Sequence, residues 1–325
     1  MCLTRLPRRL LSSLIACTIL VACTGSPATH HSPRTSGTPA QTPPTGTVPS
    51  SAVAAAYKGL GLDIIKDLVY ATHEGHRLMV DVYMPKDRST LLPGVLVIHG
   101  GGWVLGNKTW MAWEAKAVAL AGMVAFSVDY RKRHLNPFPD AVHDVQAAVV
   151  WIRRNAARFD VDPSRIAAFG GSAGGSLAGE LATLGSGPRD RGSRVLAAVS
   201  WSGLLDLHAL VTTASTADRE LVANYLPCGP HPDVTCPGKL AAASPIANVD
   251  PSDAPMFLGT STGDYIPFSQ ATSMAATLKR NGVFAEVDIL PETCHSIQCK
   301  TDLIIPTLGF LRTELGVSSG EQHLH

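Results

Sequence analysis

Ser172 stands in Phe169-Gly170-Gly171-Ser172-Ala173-Gly174-Gly175, and the string His99-Gly100-Gly101-Gly102-Trp103 lies upstream of it. The first offers a hydroxyl nucleophile in a G-x-S-x-G setting. The second offers successive glycine N–H groups. Together they suit acyl transfer, in which a serine attacks a carbonyl and main-chain donors hold the oxyanion. A G-x-S-x-G match gains meaning only from its surroundings. Here Arg165 to Gly170 reads as a short buried strand and Ser176 to Ala182 as a helix, so the serine falls on a strand-to-helix turn. That turn strains the nucleophile's backbone, and Gly170, Gly174 and Gly175 relieve the crowding around it. The phosphate-cradling spacings G-x-x-x-x-G-K-[ST] and G-x-G-x-x-G are both absent.

Gly101 and Gly102 follow the apolar run Gly94-Val95-Leu96-Val97-Ile98 and are assigned, with Ala173, as the oxyanion donors. His99, closing a buried strand, reads as a hydrogen-bonding post for that loop. Trp103, beside the donors, reads as a wall of the acyl pocket or, alternatively, as a structural tryptophan. A serine hydroxyl is a poor nucleophile, so a histidine must take its proton and a carboxylate must orient that histidine. In the order nucleophile, acid, base, Asp264 lies just beyond the buried run Met256–Gly259, and His295 lies beyond the following strand. Asp253 and Asp288 are the other carboxylates near these positions, but the first precedes its strand and the second sits within one.

The elements that must carry these groups alternate. Ile64–Tyr70 and Leu78–Tyr83 read as an antiparallel hairpin. Strands are expected at Val95–Ile98, Met123–Val128, Arg165–Gly170, Leu196–Trp201, Met256–Gly259 and Ala285–Leu290. Helices are expected at Trp110–Ala121, Asp140–Phe159, Pro267–Arg280 and Asp302–Leu315. Strands alternating with helices imply an α/β fold, a mostly parallel sheet covered on both faces, with reactive groups at the carboxyl ends of its strands. Residues from about 203 to 253 break the rhythm and are expected to form a short cap or lid over the cleft.

At the N-terminus, Arg5, Arg8 and Arg9 precede the apolar stretch Leu10–Ala22, the pattern of a signal peptide over residues 1–22. That stretch ends Leu20-Val21-Ala22-Cys23, which resembles the lipobox of bacterial lipoproteins and implies lipidation of Cys23 and a membrane anchor. Residues 23–56 are rich in Pro, Thr and Ser and are expected to be a flexible tether. The folded domain is expected over 57–317, and 318–325 as a disordered tail. Loss of the three arginines leaves 24 basic against 26 acidic side chains, and no basic stripe marks a nucleic-acid surface. Of the seven cysteines, Cys228, Cys236, Cys294 and Cys299 fall in the domain. Four cysteines allow three pairings; Cys228 with Cys236 and Cys294 with Cys299 is preferred, since each closes a short loop in an oxidising, extracytoplasmic compartment. Their spacings do not match a zinc site, and no metal is expected.

From about Ile64 to Leu315 the chain resembles the α/β-hydrolase superfamily, specifically esterases similar to hormone-sensitive lipase and to bacterial feruloyl-esterase-like proteins. The resemblance rests on His99–Trp103, Asp129-Tyr130-Arg131, Pro137-Phe138-Pro139 with Asp144, Gly170–Gly175, Ala243-Ser244-Pro245, Gly263-Asp264 and His295. It implies an α/β-hydrolase fold and a cofactor-free carboxylic ester hydrolase acting through an acyl-enzyme on a small-molecule ester. Two departures, Lys132-Arg133-His134-Leu135-Asn136 after the Asp-Tyr-Arg string and Gly-Asp-Tyr-Ile-Pro around the acid, favour the feruloyl-esterase-like branch. Short-to-medium acyl or carbohydrate-linked esters at the cell surface are the expected substrates. Two other functions fit the same residues: a formamidase or small peptidase built on the triad, and a surface lipoprotein that binds a ligand without catalysis.

Overall fold

A computed structural model of the protein describes residues 61–132, 137–213, 216–228 and 236–317. The expected signal peptide, Cys23, the tether, residues 57–60 of the expected domain and the tail at 318–325 lie outside these residues. The sheet begins with the antiparallel hairpin β1 (Leu62–His73) and β2 (His76–Pro85). Six shorter strands follow: β3 (Leu92–Ile98), β4 (Val124–Val128), β5 (Val161–Gly171), β6 (Ala198–Trp201), β7 (Met256–Ser261) and β8 (Ala285–Leu290). Their order across the sheet is β1-β2-β4-β3-β5-β6-β7-β8. β2 meets β4 antiparallel, and every pairing from β4 to β8 is parallel. This is the α/β-hydrolase arrangement.

Central strands covered on both faces need apolar residues at every position, and β4 is buried throughout. Successive side chains point to opposite faces, so Leu96 and Ile98 enter one core while Val95 and Val97 enter the other. The first core is closed by α2 (Asp140–Arg154) and α3 (Ala173–Thr183) and by α7 (Ser269–Arg280). The second is closed by α1 (Ala112–Leu120) and α8 (Lys300–Glu314). In α2, Val142, Val145, Val149 and Ile152 recur at three- and four-residue steps and are buried, whereas Arg153 and Arg154 end the helix and complement its dipole.

Between β6 and β7 the expected cap is helical: α4 (Leu207–Thr213), α5 (Thr216–Tyr225) and α6 (Pro237–Ala242), followed by a 3-10 turn at Pro245–Asn248. A Cβ added at Gly102 would lie 3.0 Å from Leu221 of α5, so the cap rests on the glycine loop after β3. Tyr225 ties it to the domain from below. Its ring stacks on Trp103 at 4.1 Å, its carbonyl accepts from the Phe138 N–H, and its hydroxyl donates to Glu180 of α3 at 3.2 Å. Burial drives the Glu180 carboxyl well above the usual carboxylate range, and a protonated, neutral acid is what such a site tolerates.

Candidate active site

Parallel strands deliver their carboxyl ends to one rim of the sheet, and three loops leave that rim for one cleft. Ser172 sits between β5 and α3 with φ 55° and ψ −123°. This is a strained conformation for a residue with a Cβ. Its N–H donates to the Trp201 carbonyl at 2.7 Å, which helps to hold it. Close backbone approach explains the flanking glycines: a Cβ on Gly174 would lie 2.1 Å from the Ile98 carbonyl oxygen, and one on Gly170 2.1 Å from that of Gly174. The end of β3, the end of β5 and the first turn of α3 therefore touch main chain to main chain. Ser172 is 8% exposed, and it opens into a cleft of about 330 Å³ with Gly101, Gly102, Trp110, Met111, Tyr265 and His295 in its walls.

Gly101, Gly102 and Trp103 follow with φ of 113°, 59° and 59°. Three residues in the left-handed region turn the chain so tightly that the Val104 and Leu105 N–H groups both donate to the Gly101 carbonyl, at 3.1 and 2.9 Å. Gly101 and Gly102 border the cleft. Ala173 opens α3, where the first N–H groups of a helix have no partner within it. The three residues assigned as oxyanion donors thus flank Ser172 from two directions.

The string Asp129-Tyr130-Arg131 braces this loop, one residue at a time. Asp129 accepts the Lys108 N–H at 2.8 Å. The Tyr130 hydroxyl donates to the His99 carbonyl at 3.0 Å while its ring stacks on the imidazole at 4.4 Å. Arg131 grips the buried Asp144 of α2 through Nε at 3.0 Å and Nη2 at 2.8 Å. Lys108 completes the brace, its ammonium lying 2.9 Å from both Asp67 and Asp81. Asp67 reaches it from an irregularity in β1, where the register slips between Ile65 and Leu68; such bulges re-aim a side chain. His99 is the post expected of it. Its Nδ1–H donates to the Gly100 carbonyl at 2.6 Å, and burial lowers its pKa to about 4, so the ring is neutral.

The residues assigned as acid and base follow neighbouring strands. Asp264 follows β7 and His295 follows β8. The His295 Nδ1–H donates to Asp264 Oδ1 at 2.8 Å, and the same oxygen accepts the Ile266 N–H at 2.9 Å. The carboxylate side chain is fully buried. This bond fixes the tautomer, leaving the lone pair on Nε2. The Ser261 hydroxyl donates to the Cys294 carbonyl at 2.7 Å, the Ser296 N–H donates to Ser202 Oγ at 2.9 Å, and the Cys294–Cys299 disulfide spans the histidine loop. Nε2 faces the cleft, and its hydrogen bond goes to the Tyr265 hydroxyl at 2.8 Å.

Of the alternative carboxylates, Asp253 faces Arg194 at 3.4 Å and Asp288 lies in β8; neither contacts His295. Both expected disulfides are present, with Cα separations of 5.8 Å for Cys228–Cys236 and 5.4 Å for Cys294–Cys299. Trp103 requires a correction. It is 1% exposed, stacked on Tyr225, and outside the walls of the cleft. Its left-handed backbone turns the indole down under α5, and Trp110 and Met111 line the cleft instead. Tyr265 was missed because an aromatic residue after an acid carries no sequence signal of its own. Among the described residues, no group of His, Cys, Asp and Glu could hold a metal ion, and no helix is long and apolar enough to cross a membrane.

A profile of the BD-FAE family matches residues 80–278. The chain belongs to that family. It is 33% identical over 226 residues to carboxylesterase NlhH of Mycobacterium tuberculosis, covering 66% of this chain and 70% of the relative. Ethyl acetate hydrolase of Pseudomonas putida is 36% identical over 125 residues, 37% of this chain and 39% of that protein. Among solved structures, Thermogutta terrifontis esterase 2 phosphonylated by sarin matches with a TM-score of 0.64 at 25% identity, over 78% of this chain and 95% of its own. A truncated carbohydrate esterase from gut microbiota shares the fold, with a TM-score of 0.67 at 22% identity over 78% of this chain and 96% of its own. This BD-FAE member is a carboxylesterase-type hydrolase of the α/β-hydrolase fold.

Proposed function

We propose that the enzyme hydrolyses carboxylic esters through an acyl-enzyme, with Ser172 as nucleophile, His295 as base and Asp264 as the acid that orients it. The observation that carries this reading is the 2.8 Å bond from His295 Nδ1 to a buried Asp264, with Nε2 turned into the cleft that Ser172 also lines. His295 Nε2 takes the Ser172 proton as Oγ attacks the ester carbonyl. The Gly101, Gly102 and Ala173 N–H groups receive the oxyanion. The imidazolium then protonates the leaving alcohol, and water repeats the sequence on the acyl group. The neutral, stacked His99 has no part in proton transfer.

A cleft of about 330 Å³ lies at the small end of ligand pockets, which supports short-to-medium acyl groups. The carbohydrate esterase among the structural neighbours supports sugar-linked esters as one substrate class. Fluorophosphonate labelling tests the reading directly: wild type takes up the probe and Ser172→Ala does not. Labelling of neither protein, or equal labelling of both, rules it out.

The site of action follows from the N-terminus. Arg5, Arg8 and Arg9 ahead of an apolar stretch ending at Cys23 support export and lipid anchoring outside the cytoplasm, and two disulfides accord with an oxidising compartment. Metabolic labelling with a radioactive fatty acid checks this. Label retained in Cys23→Ala would refute anchoring through that residue.

A further inference from the structure

We infer that Tyr265 lies on the alcohol side of the cleft and selects which alcohols the enzyme releases, favouring those that carry a hydroxyl beside the ester oxygen over bare alkyl alcohols. The inference rests on the ester-hydrolase reading above. Nε2 of the base is the atom that hands its proton to the departing oxygen. A group bonded to Nε2 therefore stands where that oxygen must come. Here that group is the Tyr265 hydroxyl, 2.8 Å from Nε2, with its ring centroid 4.1 Å from the imidazole.

The phenol and the substrate compete for one atom. With the lone pair on Nε2, Tyr265 donates and His295 accepts, so Ser172 cannot pass its proton until the phenol yields. The ring is 61% exposed and can turn aside into solvent, giving up its contact with the imidazole. The backbone beneath it stays, because the Gly263 N–H donates to the Glu292 carbonyl at 2.9 Å and the Ile266 N–H to Asp264 at 2.9 Å. What the displaced hydroxyl meets next depends on the ester. An alcohol portion with a neighbouring hydroxyl gives it a new hydrogen bond inside the cleft. A bare alkyl chain gives none, and an unreplaced hydrogen bond is worth about three- to ten-fold in affinity. Ser296 and Gln298 also border the cleft, but the Gln298 amide oxygen accepts the His295 N–H at 3.0 Å, and the group bonded to Nε2 is the phenol.

The test uses esters of one acyl group on ethanol and on ethylene glycol, hydrolysed by the full-length enzyme and by Tyr265→Phe. Comparing the two esters within each protein cancels their intrinsic reactivity. The expected result is that kcat/KM for the glycol ester relative to the ethyl ester falls about five-fold in Tyr265→Phe, with the gain on the ethyl ester and most of the change in KM. Tyr265→Leu shifts the ratio in the same direction if the hydroxyl is the determinant. Repeating the measurement with monoacyl glycerol and with an acylated xyloside separates glycerol from sugar as the preferred alcohol. A ratio that matches wild type overturns the inference, as does equal slowing of both esters. Fluorophosphonate labelling of all three proteins keeps the failures apart: no labelling of wild type removes the hydrolase reading itself, whereas full labelling with an unchanged ratio removes only the role of Tyr265.

Discussion

The glycine loop after β3 and the histidine loop after β8 end in the same cleft, yet they are held there by different forces. Lys108 between Asp67 and Asp81, Tyr130 stacked on His99, and Arg131 clasping Asp144 fix the first loop through aromatic contact and ion pairs, those to Asp81 and Asp144 on buried carboxylates. The second loop relies on a disulfide and two serine hydroxyls, and its imidazole meets the exposed Tyr265 of the loop after β7. The difference follows from what each must do. Oxyanion donors are backbone N–H groups, useful only when aimed at one point before charge develops. An imidazole must exchange partners during the reaction, so the groups around Nε2 have to give way. Rigidity is concentrated on the electrostatic half of the site, and compliance on the proton-transfer half.

The contrast predicts unequal damage. Gly101→Ala should be the most harmful change, because the added Cβ would lie 2.4 Å from the Leu105 carbonyl oxygen on a backbone with φ 113°. A displaced donor of this kind costs about 100- to 1,000-fold in kcat. Turnover of p-nitrophenyl esters, with far-ultraviolet dichroism as a check on folding, measures it; a loss below ten-fold would show that the loop is not the rigid half.

A smaller effect comes from pH. The folded-state pKa of His99 is lowered to about 4 by burial, below the unfolded value near 6.5. Its contribution to stability is therefore complete above about pH 6.5 and is lost as pH falls toward 4. The loss is on the order of 3 kcal/mol. Urea titrations at several pH values should show a shallower acid dependence in His99→Asn than in wild type; parallel curves would contradict the neutral buried ring.

The smallest change belongs to the histidine loop. Replacing Cys294 and Cys299 together by serine removes a short loop constraint worth about 2 kcal/mol by chain entropy. Turnover should fall by a larger fraction than near-ultraviolet ellipticity, since the loosened segment carries the imidazole. Equal losses would assign the bridge to stability alone.

Much of this architecture was legible in the chain itself. Runs such as Val95–Ile98 and Met123–Val128 have no polar alternation, and their shortness and β-branched content suit strands covered on both faces. The glycines around Ser172 announce a close backbone contact. The placement of Asp264 and His295 at the carboxyl ends of β7 and β8 was readable because each follows a recognisable strand, and the 2.8 Å bond between them is what the structure adds. The cap helices were harder to read, because α4 and α6 are short and their apolar faces match a surface assembled from α3, α5 and the turn at Pro245 rather than a period of their own. Trp103 misled for a related reason: its neighbours in sequence line the cleft, but its φ of 59° sends the ring the other way. Tyr265 depends on a distance across thirty residues of chain, which no local pattern encodes.

The bare contact of Gly174 with the Ile98 carbonyl has a bearing on redesign. Because no side chain separates α3 from the tip of β3, the Ser172 turn and the strand that leads into the glycine loop form one block whose separation is set by peptide atoms. New specificities are therefore best sought at Trp110, Met111 and Tyr265, side chains of the cleft wall that lie outside that block.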